Sequence, residues 1–127
     1  MVITVRGTQL SLDWGMNHQP IAKSFVALDV AYELVSALAP TVRQIARHDA
    51  SLGKQLTRAL ASVPMNLAES GGRTGADRVH FYRIAYGSLR EVSAALEAAT
   101  RFGWLDSAPA ADVRDRLSGM LWRLARR

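Results

Sequence analysis

The 127-residue chain has no cysteine. Disulfides and thiolate metal sites are therefore excluded, and a cytoplasmic protein is the expectation. Lysine is scarce: only Lys23 and Lys54 accompany the arginines that supply almost all the positive charge. No apolar run reaches the ~20 residues that a membrane span needs. The first stretch, MVITVRGTQLSLDWGMNHQP, lacks a basic start followed by an apolar block, so no signal peptide and no membrane association are expected. Aromatics make up 7% of the chain and prolines number four, so a proline inside a helical pattern demands a reason.

What is present is an ordinary globular composition. Hydrophobic residues make up 49%, and the formal net charge is +5. The length fits one domain. A basic balance suits nucleic acid or another polyanion, and it equally suits a solvated surface. After Asp115 there is no acid, while Arg116, Arg123, Arg126 and Arg127 follow; cations at the end of a last helix also complement its dipole.

Residues 1–22 read as an irregular or β-like N-terminal arm, with VITVRGTQLSL partly alternating and Asn17, Gln19 and Pro20 in a loop. Residues 23–127 read as the bundle domain. Its first helical pattern places Phe25, Leu28, Tyr32, Val35, Ala39, Val42 and Ile45 on one stripe, behind an N-cap at Ser24, with a kink or fresh start at Pro40. RHDAS is a connection. Leu52, Leu56, Leu60, Val63 and Leu67 mark the second helix, which stops where Gly71 and Gly72 can take positive φ. Thr74 and Asp77 approximate a capping box. The third helix carries Tyr82, Ala85, Leu89, Val92, Leu96 and Ala99, and Gly103 ends it. Ser107 and Pro109 open the fourth, with Val113, Leu117, Met120, Leu121 and Leu124 inward. Short loops between four such helices predict an all-α, antiparallel up-down four-helix bundle. Phe81, Tyr86, Trp104 and Trp122 fall off the main stripes, which makes them candidates for a self-association interface.

Chemistry-bearing clusters are sparse. His18, His48 and His80 are scattered, and none has a second ligand at helical spacing, so no metal is expected. No Glu-x-x-His pair, phosphate loop or nucleophile elbow occurs. No catalytic residues and no cofactor are therefore expected; an enzyme built on Glu69, Arg58 and Asn66 is the weakest alternative.

One stretch stands out. LASVPMNLAES puts Pro64 inside a strong helical pattern, where its ring displaces the Leu60 carbonyl. Arg58, Ser62, Asn66 and Glu69 form a polar stripe beside it. Ser62 and Asn66 are placed to answer the freed carbonyl, which makes the stripe a structural motif first and a ligand groove second.

QLTRALASVPMNLAES, followed by FYRIAYGSLREVSAAL and RFGWL, resembles the small bacterial "four helix bundle protein" family. That family includes proteins encoded in intervening sequences of large-subunit ribosomal RNA genes and the accessory variability determinant of diversity-generating retroelements. The match runs through Gln55, Leu56, Arg58, Ala59, Ser62, Val63, Pro64, Asn66, Leu67, Ala68 and Glu69, then Phe81, Ala85, Gly87, Ser88, Leu89 and Glu91. Ser70 stands where the family usually has glycine, and Pro40 is atypical. The resemblance implies a four-helix bundle that assembles into a ring-like homo-oligomer, a pentamer, without known catalysis. In the retroelement branch it implies a basic assembly that binds nucleic acid and partners a reverse transcriptase.

Two functions follow as expectations. One is a nucleic-acid-binding accessory ring for RNA or DNA, with Arg43, Arg47, Lys54, Arg58, Arg73, Arg78 and Arg83 as its basic patch. The other is a protein-interaction scaffold that uses the off-stripe aromatics.

Overall fold

The computed structural model describes residues 2–5, 8–11 and 23–126, and side chains from residue 26 onward. The loop assigned to Asn17, Gln19 and Pro20 and the terminal Arg127 lie outside the described residues. Strands β1 (Val2–Val5) and β2 (Thr8–Ser11) pair antiparallel, with Val2 opposite Ser11 and Val5 opposite Thr8. Four helices follow: α1 (Lys23–His48), α2 (Ala50–Ser70), α3 (Gly75–Arg101) and α4 (Ala111–Ala125). Each packs against the next in sequence, and α4 returns to α1, so the four surround one core. Residue pairs between α2 and α3, Ser62 with Ser88 and Ser70 with Arg78, run in opposite order along the two helices. No helix among the described residues is long and apolar enough to cross a membrane.

The third helix has the stripe its sequence predicts: Tyr82, Ala85, Leu89, Val92, Leu96 and Ala99 are all buried. In α2, Leu56, Leu60, Val63 and Leu67 are buried and Leu52 half-buried. In α1 the core stripe is displaced by about one position. Ala27, Val30, Ala31, Leu34, Leu38 and Ile45 are buried, whereas Tyr32 is 53% exposed and Leu28, Val35, Ala39 and Val42 are half-buried. The helix is apolar on two adjacent sides; one faces the core and the other faces a groove beside α2.

Neither proline breaks its helix. Pro40 is exposed, and the Ser36 carbonyl that loses a donor belongs to an exposed residue and can turn to water. Pro64 is buried within an unbroken α2. Because α1 starts at Lys23, Ser24 lies inside its first turn rather than at the cap.

The turns differ from expectation in instructive ways. A single residue, Asp49, separates α1 from α2; its extended backbone (φ −152°) makes the corner, and its carboxylate accepts the Leu52 N–H at 2.9 Å. Gly71 has φ −62°, not a positive value. α2 instead tightens into three i→i−3 bonds from Gly71, Gly72 and Arg73 to Ala68, Glu69 and Ser70. Positive φ falls later, at Gly75 (57°), which opens α3. Thr74 caps α3 without a side-chain hydrogen bond, and Asp77 pairs with Arg73 instead of completing a capping box. Gly103, at φ 81°, ends α3 as expected, with the Trp104 N–H reaching back to the Ala99 carbonyl at 2.9 Å. Pro109 precedes α4 rather than sitting in its first turn, and Ala110 takes the left-handed cap position at φ 58°. Arg114 braces that turn, donating to the carbonyls of Pro109 (3.0 Å) and Ala108 (3.4 Å) and to Ser93 Oγ of α3 (3.2 Å).

Gly53 is where α1 and α2 come closest. A Cβ added there would lie 2.8 Å from the Ala46 Cβ and 3.0 Å from its Cα. At Gly87, also in a helix, an added Cβ meets nothing within 4 Å. Gly87→Ala should therefore stabilise the bundle by about 1 kcal/mol through helix propensity. Gly53→Ala should destabilise it by about 1 kcal/mol, because the overpacking cost of ~1–3 kcal/mol exceeds the same propensity gain. Urea unfolding midpoints of the two variants check this; stabilisation by both would mean that the α1–α2 spacing is free to relax.

Candidate functional site

Seven cations were expected to form one basic patch. The structure divides them. Arg73 sits in the α2–α3 turn, bonded to Glu69 Oε1 at 2.7 Å and Asp77 Oδ2 at 3.3 Å, with its guanidinium 5.1 Å from the centre of the Phe81 ring. The hydrogen bond with Glu69, followed by the charge of Asp77, holds its pKa above the ordinary arginine value. Arg78 donates to the carbonyls of Arg73 (2.8 Å) and Ser70 (3.3 Å), closing the same turn. Arg83 donates to the Ala125 carbonyl at 3.2 Å and ties α3 to the end of α4. These three arginines are engaged in holding helix ends.

The other four lie together on α1 and α2. A groove of about 380 Å³ runs between the two helices, floored by Val42, Ala46, Ala50 and Gly53 and edged by Lys54 and Arg58. A second hollow of about 240 Å³ continues it along Val35, Ala39 and Leu60, with Arg43 at its edge. Arg47 follows Arg43 by one helical turn. All four cations are exposed, and no carboxylate among the described residues lies within salt-bridge range of them. The sequence explains why. Between Glu33 and Glu69 the only acid is Asp49, and its carboxylate is committed to the α2 cap. The closed end of the α1–α2 hairpin is therefore a cationic strip over an apolar groove.

The polar stripe around Pro64 divides as well. Ser62 and Asn66 are half-buried. Asn66 Nδ2 donates to the Ser62 carbonyl (2.8 Å) and hydroxyl (2.9 Å), and the Ser62 hydroxyl meets Ser88 Oγ of α3 at 2.7 Å. Asn66 does not reach the Leu60 carbonyl, which lies six residues, or about 9 Å of helix rise, behind it. Arg58 and Glu69 point elsewhere: Arg58 to solvent at the groove edge, Glu69 to Arg73. Glu69, Arg58 and Asn66 thus do not converge, so the arrangement offers no acid–base pair. Ser70, at the position where glycine was expected, is fully buried and satisfies its hydroxyl on the Leu67 carbonyl at 2.6 Å.

The four off-stripe aromatics share no single surface. Phe81 is half-buried under Arg73. Tyr86 packs against Trp122, which is 48% exposed and carries Arg126 over its ring at 4.9 Å. Trp104 lies at the other end, stacked on His48 of α1. His48 has no metal-ligand spacing in the sequence; the signal for this stack is the pair of aromatics, Phe102 and Trp104, that brackets the helix-stop Gly103.

If the Ser62–Asn66–Ser88 node holds α2 on α3, Asn66→Ala should cost about 1–2 kcal/mol by leaving the Ser62 hydroxyl short of a donor. Arg58→Ala should stay within about 0.5 kcal/mol. Chemical denaturation of both variants checks the contrast, and equal losses would restore a single four-residue stripe.

Ser62 lies in the first block of sequence that carries the resemblance and Ser88 in the second, so their hydrogen bond joins the two blocks in space. Neither the curated proteins nor the solved structures give a match. A family model, described as 23S rRNA-intervening sequence protein, matches residues 23–125, from the start of α1 to the end of α4. The chain belongs to the 23S rRNA-intervening sequence protein family.

Proposed function

We propose that the protein is a non-enzymatic accessory factor that binds nucleic acid through the α1–α2 strip and acts as a homo-oligomeric ring, a pentamer. The observation that carries this reading is the strip itself: Arg43, Arg47, Lys54 and Arg58, exposed and without an acidic partner among the described residues. Cations already neutralised by carboxylates gain little from a phosphate, whereas unpaired ones release condensed counterions when they engage a backbone. Four charges give weak binding alone. Repetition around an oligomer raises the affinity through effective concentration, without new contacts. The half-exposed Trp122, backed by Tyr86, supports a subunit or protein-partner contact on the α3–α4 side, away from the strip. A protein partner such as a reverse transcriptase would dock there in the scaffold reading.

Filter binding of labelled single- and double-stranded nucleic acid at low and moderate salt tests the proposal. The wild type should be retained at low salt, and log K should fall against log salt with a slope near −4 per protomer engaged on duplex. Neutralising Arg47 and Arg58 together with glutamine should reduce that slope by about 2. Arg73→Gln, which removes a charge already paired, should leave it unchanged. No retention at low salt would overturn the reading, and light scattering that shows a monomer would remove the ring.

A further inference from the structure

The segment between α3 and α4 carries an aromatic column at the edge of the core, with Trp104 packed against it. Trp104 is nearly parallel to two rings. Its centroid is 5.6 Å from His48 with 6° between planes, and 4.7 Å from Phe102 with 14° between planes. The tryptophan is held in place at the backbone: its carbonyl accepts Gln44 Nε2 at 2.9 Å, and its N–H closes α3 on Ala99. Phe102 is 69% exposed, the highest among the exposed large hydrophobic residues described. Its ring therefore offers area to solvent in a plane that Trp104 fixes.

The position of this column gives it meaning. His48 is the last residue of α1, so the column stands at the same end of the bundle as the α1–α2 corner, where Arg47 and Lys54 also lie. A flat ring at the same end of the bundle as a row of cations matches the two parts of an unpaired nucleotide chain. Bases stack on the ring, while phosphates track the cations. A duplex presents the phosphates alone, because its bases already stack on one another. An aliphatic surface would suit a peptide side chain as well, but the area offered here is an aromatic ring.

We infer that this end of the protein is a stacking site for an unpaired base, seated on Phe102, and that it makes single-stranded nucleic acid the preferred ligand over duplex. The inference rests on the nucleic-acid reading of the strip and narrows its substrate class. Phe102 donates its backbone N–H to the Ala98 carbonyl, a bond that substitution of the ring leaves available. Variants at this exposed position should keep the fold, which thermal melting verifies.

The test is fluorescence anisotropy with the full chain, an oligothymidine of about fifteen nucleotides and a duplex of equal length. Phe102→Ala and Phe102→Leu should weaken single-strand binding roughly 5- to 150-fold while duplex binding stays unchanged. Phe102→Trp should restore it. Leucine matching phenylalanine would mean generic apolar contact and overturn stacking. Unchanged single-strand affinity in Phe102→Ala, or equal losses on both ligands, would also overturn it. Wild-type protein that binds duplex as well as single strand would end the preference while leaving the strip reading intact; binding to neither would end both.

Discussion

At Gly53 the backbone of α2 comes so near Ala46 that a single added carbon would sit 2.8 Å from the alanine Cβ. That approach, together with the one-residue corner at Asp49, sets α1 and α2 side by side as a tight hairpin. Close spacing has two consequences. Small residues at the contact leave a shallow trough, because nothing bulky rises from Ala46, Ala50 or Gly53 to fill it. The longer side chains at the margins, Arg43, Lys54 and Arg58, then stand as the edges of that trough rather than as scattered surface charges. The groove and its cationic rim thus depend on a packing distance that a single glycine permits.

Charge on this protein acquires a function only through what each group touches. Arg73, Arg78 and Arg83 look equivalent to Arg43 and Arg47 in the sequence, yet they spend their donors on Glu69, Asp77 and the backbone carbonyls at helix ends. Such exposed ion pairs contribute little to stability. Their larger effect is to offset the charge of Arg73 at the α2–α3 turn. On the α1–α2 hairpin the one acid between Glu33 and Glu69, Asp49, is occupied by a cap, and the four cations face water.

Legibility in the sequence followed the number of plausible readings each segment allowed. The α3 stripe was readable residue by residue because Tyr82, Ala85, Leu89, Val92, Leu96 and Ala99 recur at unbroken helical spacing. In α1 two apolar stripes lie about one position apart, and periodicity alone could not say which faces the core; of the stripe chosen from sequence, Ile45 is buried in the core, while Val35, Ala39 and Val42 line the groove at its edge. Helix stops were readable where glycine must take positive φ, as at Gly103, and misread at Gly71, where a turn of i→i−3 bonds did the same work. In the basic patch, the pairing of Arg73 with Glu69 and Asp77 is local and readable, whereas the tie of Arg83 to the Ala125 carbonyl depends on a tertiary neighbour. So does the column of His48, Trp104 and Phe102, which joins residues from α1 to residues beyond α3.

The residues that reveal the family and the residues of the cationic strip are largely different. Ser62, Asn66 and Ser88 form an internal node between α2 and α3, and Val63, Pro64, Leu67 and Leu89 are buried around it. A pattern of this kind identifies a bundle by how its helices seat on one another. Of the motif residues, only Arg58 belongs to the cationic strip; Arg43, Arg47, His48 and Lys54 lie outside both motif blocks. Family membership therefore fixes the scaffold and the spacing of α2 on α3. The candidate nucleic-acid strip lies apart from that node, on the outer side of α1 and α2. In this chain the proposed site rests on the unpaired cations beside Gly53 and on the exposed Phe102 ring, neither of which belongs to the node.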